Sequence, residues 1–209
     1  MMMGIFVGCG NLHDNASVVG LSERERLPAD NGDSVYYWYD GEKQYLLKDY
    51  SATFIVCDTA TDVTAGRGVI SRGDYGDARN ADGEMVSRTQ GKKWAIVKGY
   101  LKRTRDGKDN PDIYYVSPVY KSPATGKMVK LSNLIHLKLK PRTNTKALYE
   151  QMEKYGLTLY SQNRFMSQWY SLFCETDAYG TALDVCDRLY ETGLFAAVEP
   201  DFLGAFTVD

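Results

Sequence analysis

The last third of the chain carries the order of strands and helices that most restricts its fold. Residues 134–140 (LIHLKLK) alternate apolar and polar side chains, as a strand with one buried face does, and Pro141 ends the run. Five further elements are predicted in the order helix, strand, strand, helix, strand, at about 145–155, 158–162, 169–174, 179–192 and 195–198. The order βαββαβ is the split motif of α+β ferredoxin-like folds, in which two helices cover one face of an antiparallel sheet and leave the other free.

Local signals set the ends of both predicted helices. Asn144 or Thr143 can cap the first helix, and Gly156 ends it. The second helix ends at Gly193, and its inward stripe is formed by Ala182, Val185, Cys186 and Leu189. Two carboxylates on the second helix, Asp184 and Asp187, are expected to face solvent.

The region upstream is richer in strands and turns. Two apolar or aromatic runs, 35–39 and 42–47, flank Asp40-Gly41, which is a strong β-hairpin signal. Further strands are predicted at 52–57, 94–101 and 113–116. The glycine-rich stretch 58–91 lacks a helical stripe and predicts a long loop or insertion.

A weak internal repeat relates the two regions. Residues 116–120 and 198–202 share the pattern V-x-P-x-aromatic, 82 residues apart, and the strand segments 54–56 and 136–138 have the same spacing. This spacing predicts tandem ferredoxin-like units, the first degenerate and preceded by the hairpin. The predicted organisation is a leader or tether over 1–33, a β-rich degenerate repeat over 34–132 and a ferredoxin-like unit over 133–209.

Charge is distributed unevenly along a chain of ordinary globular composition. Residues 92–146 carry 14 Lys and Arg against 3 Asp and Glu, a balance that a nucleic-acid-binding surface would also show. Lys98, Lys102, Lys138 and Lys140, however, recur at alternate positions on predicted strands, as on a solvated sheet face. We therefore expect no nucleic-acid partner.

The four cysteines show no metal-ligand spacing, so no metal or other cofactor is expected. Cys57, Cys174 and Cys186 lie in apolar patterns typical of buried thiols. A disulfide between Cys174 and Cys186 is the alternative if the chain is exported. Cys9 ends the short apolar run MMMGIFVGCG and resembles the lipidated cysteine of a truncated bacterial lipoprotein signal. That interpretation places the chain outside the cytoplasm, with membrane anchoring through a lipid on Cys9; an ordinary N-terminal tether is the alternative.

Catalytic motifs are missing from the sequence. The chain has two histidines, and His136 lies within an alternating strand, where a hydrogen-bonded strand residue is expected. No GxSxG, HExxH, GxxxxGK or GxGxxG motif occurs. We therefore expect the chain not to be an enzyme.

Several segments over about residues 35–203 resemble one family. They are 36–43 (YYWYDGEK), 115–121 (YVSPVYK), 131–133 (LSN), 137–140 (LKLK), 154–156 (KYG), 165–170 (FMSQWY), 189–195 (LYETGLF) and 199–202 (EPDF). At these residues the sequence resembles the N-terminal prodomain region of secreted subtilisin-like serine proteases, the fervidolysin-like prodomain of the Bacteroidales type. The last 75 residues are the most specific part, and residues 58–91 depart from the family pattern.

The resemblance implies an intramolecular chaperone and inhibitor of a subtilisin-like catalytic domain that this chain does not contain. Such a module docks through its open sheet face, and its C-terminal tail enters the protease cleft as an extended peptide. The tail residues implied to contact the protease are Phe202, Leu203, Gly204, Ala205 and Phe206; continued packing past the last strand is the alternative for them. The alternative function is a surface-anchored module of tandem ferredoxin-like fold that binds protein or glycan.

Overall fold

Two antiparallel sheets and two helices make up the described part of the protein. The computed structural model describes residues 33–58, 68–75, 92–101 and 112–203, all within one compact unit that spans residues 31–209. In chain order the elements are β1 (Ser34–Tyr39), β2 (Glu42–Asp58), β3 (Val69–Asp74), β4 (Lys92–Lys98), β5 (Ile113–Lys121), β6 (Met128–Val129), β7 (Leu131–Leu139), α1 (Thr145–Tyr155), β8 (Leu157–Gln162), β9 (Trp169–Cys174), α2 (Ala182–Glu191) and β10 (Phe195–Phe202).

The second sheet has the strand order β10-β7-β9-β8, with every neighbouring pair antiparallel. Numbered within the βαββαβ unit this order is 4-1-3-2, which is consistent with a ferredoxin-like arrangement. The α+β class predicted from the sequence is confirmed. Alternate residues of β7 face the helices, and Ile135 and Leu137 on that face are fully buried.

Capping residues set both ends of α1 and the start of α2. The Asn144 side chain accepts a hydrogen bond from the Lys146 amide at the start of α1, and Gly156 ends the helix in the left-handed region at φ 60°. In α2 the N-cap is Thr181, and it forms a capping box with Asp184. The second helix therefore begins three residues later than predicted.

The first sheet has the order β3-β4-β2-β5-β6, with β1 paired to the first part of β2. The hairpin predicted at Asp40-Gly41 is confirmed, and both turn residues have positive φ. Two findings differ from the prediction. β2 is a single strand of 17 residues with a register shift between Asp49 and Thr53, and Val69–Asp74 forms a strand inside the stretch expected to be a loop.

One apolar core joins the two sheets. Phe54 and Tyr115 of the first sheet belong to the same buried cluster as Leu172 of the second sheet and Val185 of α2. The Tyr115 hydroxyl also accepts a hydrogen bond of 2.6 Å from the Ala182 amide at the start of α2. The predicted boundary after residue 132 lies within β7.

Two of the cysteines lie in this core. Cys174 and Cys186 are buried free thiols, as the sequence predicts, and burial raises the pKa of both. Cys57 is buried as well.

Candidate functional site

The face of the second sheet that points away from the helices is the candidate functional surface. Cross-strand pairing places His136 beside Ser171 and Glu199, and Lys138 beside Trp169 and Ala197, on this face. The side chains of His136 and Asp201 are partly exposed. This part of the sheet face is therefore accessible, polar and bordered by an aromatic ring.

A hydrogen-bonded network crosses this surface. His136 Nδ1 lies 2.9 Å from Ser171 Oγ, and His136 Nε2 lies 3.2 Å from Asp201 Oδ1. The Ser132 hydroxyl donates to Asp201 Oδ2 at 2.7 Å. The expectation that His136 is a hydrogen-bonded strand residue is confirmed. Its partners could not be predicted, because strand register brings them together.

The network contains the residue types of a hydrolytic triad, yet its setting differs from that of an acyl-transfer site. Ser171 lies in β9, which is paired with β7 on one side and β8 on the other. Amides of a paired strand point along the sheet towards the neighbouring strands, whereas the Ser171 side chain stands on the sheet face. The amides of β9 are therefore not aimed at an oxyanion beside Ser171 Oγ. The network therefore fixes polar side chains of three strands on one surface.

The turn between β8 and β9 carries the most exposed aromatic side chain of the described residues. Phe165 is 98% exposed and its neighbour Met166 is 49% exposed. The Asn163 side chain accepts hydrogen bonds from the amides of both residues, at 2.9 and 3.0 Å. The Trp169 amide donates to the Met166 carbonyl at 2.8 Å, which closes the turn beside the accessible sheet face. A fixed apolar projection thus stands at the edge of this surface.

The opposite end of the same sheet face is covered by the chain itself. Phe173 is fully buried and packs edge-to-face on Tyr75, with ring centroids 5.1 Å apart. The Tyr75 hydroxyl donates to the Asn133 side chain, and burial is the main cause that raises the pKa of Tyr75. Among the residues that the structure describes, the part of this face left uncovered is therefore that around the network, Lys138 and Trp169.

The implied tail begins at the covered end of the sheet. Phe202 is partly buried and packs on Tyr37, with ring centroids 5.3 Å apart. The Leu203 amide donates to the Lys130 carbonyl at 2.8 Å, and its side chain packs against the main core. Gly204, Ala205 and Phe206 lie outside the described residues, as does Cys9.

The hairpin is anchored to helix α2 by one carboxylate. The Tyr36 hydroxyl and the Trp38 indole N–H donate to the two oxygens of Asp187, at 3.0 and 3.1 Å. Burial, followed by the neighbouring Asp187 carboxylate, raises the pKa of Tyr36. The prediction that Asp184 and Asp187 face solvent is wrong, since Asp184 caps α2 and Asp187 holds the hairpin.

The described residues contain neither a cluster of metal ligands nor a helix that could span a membrane. Among them, no three or more His, Cys, Asp or Glu side chains are grouped to hold a metal ion. None of the helices found there is long and apolar enough to cross a bilayer.

The chain was compared with models of protein families, with curated proteins and with solved structures. None of these comparisons found a match.

Proposed function

We propose that this protein is a prodomain-like module that binds a subtilisin-like protease catalytic domain, assists its folding and inhibits it. The observation that carries the proposal is the 98% exposure of Phe165 in a hydrogen-bonded turn beside the accessible sheet face. The two bonds to Asn163 hold the backbone of Phe165 and Met166, which lowers the cost of ordering this turn on binding. Exposed aromatic side chains are typical of interface anchors.

The sheet face and the tail would contribute separate parts of the interface. The Phe165 turn adjoins the end of the sheet where Lys138 pairs with Ala197, whereas β10 ends at Phe202, opposite Leu131. At a rise of about 3.3 Å per residue these two ends are roughly 20 Å apart. The tail after Leu203 would then reach the protease cleft while the Phe165 turn docks elsewhere on the catalytic domain.

Tandem ferredoxin-like units are the second part of the proposal. The strands β2, β3, β4 and β5 pair in the order β5-β2-β4-β3, which is again 4-1-3-2 when numbered along the chain. Strand pairing in this order, together with the repeated V-x-P-x-aromatic motif on β5 and β10, supports a duplication. The first unit would then be the degenerate copy.

Export belongs to the same proposal, because a prodomain acts where its protease is folded. Lipidation of Cys9 would keep the module at the membrane surface outside the cytoplasm. Mass spectrometry of the membrane fraction, comparing the natural chain with Cys9→Ser, measures this directly: loss of a diacylglyceryl adduct and of membrane association is expected. Identical masses and fractionation would contradict lipid anchoring.

An inhibition assay tests the function. The purified chain is titrated against a subtilisin-like protease from the same source, alongside a chain ending at residue 203, which keeps the contacts of Leu203, and a Phe165→Ser variant. Each change is expected to raise the inhibition constant at least tenfold, or about 1.4 kcal/mol. Tyr149→Ser is the matched control, because Tyr149 is 54% exposed on α1, away from the proposed interface.

The combination of both changes adds a sharper criterion. Because sites this far apart act additively, the double variant is expected to show the product of the two fold-changes. Inhibition that is absent in the natural chain, or equal in the Phe165→Ser and Tyr149→Ser variants, would contradict the proposal.

A further inference from the structure

A cavity of about 610 Å³ lies between the edges of the two sheets. One wall is the end of β1 and its turn, residues 38–41, and the other is residues 196–199 of β10. Lys138, Trp169 and Tyr190 complete the lining. Among the described residues β1 pairs with β2 alone and β10 with β7 alone, so each wall is an edge strand. Edge strands offer backbone N–H and C=O groups to a further strand.

The size of the cavity matches one extended peptide. Residues 196–199 span about 13 Å at roughly 3.3 Å per residue. A strand within a layered sheet has a cross-section of about 4.8 Å by about 10 Å. The cavity volume of about 610 Å³ is of the same order as the space that four residues of such a strand occupy.

The walls are held in place before any ligand binds. The Trp38 indole N–H donates to Asp187, and the Trp38 ring stacks on Tyr190 at 4.5 Å with an interplanar angle of 13°. Ala196 and Ala197 add only methyl groups along the β10 edge, so another backbone can approach closely. A fixed cavity reduces the ordering cost of binding.

The charges in the cavity favour a cationic side chain. Its lining carries two carboxylates, Asp40 and Glu199, and one ammonium, Lys138. Burial raises the pKa of Glu199, His136 opposes that shift and the Asp40 carboxylate adds to it. The indole rings already have cations beside them, since Lys138 Nζ lies 5.8 Å from the Trp169 ring centroid and Lys43 Nζ lies 5.0 Å from that of Trp38. The place for a further cation is therefore between the two carboxylates, where it would relieve their repulsion.

We infer that this cavity binds an extended segment of a partner polypeptide, paired with the β10 edge and carrying an Arg or Lys side chain between Asp40 and Glu199. The mode is strand addition, in which the backbone provides affinity and the side-chain site provides selectivity. Lys138 and Trp169 belong both to the cavity and to the accessible sheet face. The inference does not depend on protease inhibition, because it is tested by peptide binding to the isolated chain.

The test uses short capped peptides and the full chain. The probe is a pentapeptide of alternating threonine and valine with arginine at its centre. One matched peptide has glutamate in place of the arginine. The other keeps the arginine and carries N-methyl groups on alternate amides. Binding is followed by the indole N–H signals of the three tryptophans in heteronuclear NMR. Trp38 and Trp169 are expected to shift, whereas Trp94, which stacks on Phe54, is expected not to shift.

The variants test the charge. Glu199→Gln is expected to weaken binding of the arginine peptide about tenfold or more, as loss of a charged hydrogen-bond acceptor does. Glu150→Gln, at an exposed position on α1, is the control and leaves binding unchanged. The glutamate and N-methylated peptides are expected to bind at least tenfold more weakly than the arginine peptide.

Four results would overturn the inference. The first is no shift of Trp38 or Trp169 at peptide concentrations on the order of 10 mM. The second and third are a glutamate peptide or an N-methylated peptide that binds as tightly as the arginine peptide. The fourth is tighter binding of cellotriose or chitotriose than of the arginine peptide at the same two indoles. The last result would assign the cavity to a saccharide.

Discussion

Replacing Asp187 by Ala tests how the hairpin is attached to the rest of the molecule. The change removes the acceptor of two hydrogen bonds, from Tyr36 at 3.0 Å and from Trp38 at 3.1 Å. Hydrogen bonds to a charged group contribute about 1.5–3 kcal/mol each. Because Asp187 is only half-buried and water can replace part of both bonds, we expect a total loss of about 2 kcal/mol in the free energy of unfolding.

Urea unfolding followed by far-ultraviolet circular dichroism measures that loss, because Trp38 fluorescence itself would change with the variant. A loss of about 2 kcal/mol lowers Tm by roughly 4–8 °C in a domain of this size. In the Asp187→Ala variant, amide hydrogen exchange should accelerate more in β1 than in β7 relative to the natural chain, because the lost hydrogen bonds hold the hairpin.

Two control variants make the measurement specific. Asp187→Asn keeps one acceptor oxygen and should lose about half as much stability. Glu150→Ala, which breaks only an exposed ion pair with Lys146 on α1, should lose less than about 0.5 kcal/mol. A loss below about 0.5 kcal/mol for Asp187→Ala, or unchanged exchange in β1, would refute the role of this carboxylate.

Three further predictions concern buried groups. Tyr115→Phe leaves the first amide of α2 without its acceptor and should cost about 1–3 kcal/mol in urea unfolding, with no loss arguing against that hydrogen bond. Glu199→Gln should increase the free energy of unfolding at pH 7, because the raised pKa of Glu199 means that the folded state disfavours the charged carboxyl. This increase should vanish as the pH falls below the ordinary carboxyl pKa near 4.5. An increase that persists below that pH would contradict this cause. In a Cys9→Ser chain, the three buried thiols of Cys57, Cys174 and Cys186 should react with a thiol reagent only after unfolding; rapid labelling of Cys174 or Cys186 in the native chain, located by peptide mapping, would show that they are accessible.

The second sheet and both helices could be predicted because their sequences carry strong periodic signals. Leu148, Met152 and Tyr155 recur at helical spacing before Gly156, and residues 134–140 alternate. Each signal is local, so one sequence suffices to find it.

The first sheet was harder to predict because its strands lack those signals. Val69–Asp74 is an edge strand whose side chains are mostly exposed or half-buried, so it shows no apolar alternation. β2 was predicted as two strands because Lys48 to Ser51 is polar, yet the backbone continues from the hairpin into the central sheet.

The candidate site depends on contacts between distant residues. Asp187 meets Tyr36 and Trp38 about 150 positions away in the chain, and Ser171 meets His136 through strand register. Side-chain type alone does not reveal such partners. The exposed Phe165, in contrast, belongs to a sequence run that the family resemblance had already singled out.

The shared core has a practical consequence for dividing the chain. A fragment that starts at residue 133 would cut the first two residues from β7. It would also lose Tyr75, which covers Phe173, and Tyr115, which holds the first amide of α2. Such a fragment would expose apolar surface that is buried in the whole chain, and we expect it to aggregate on expression. Truncation before residue 33 is therefore the safer choice for producing the domain.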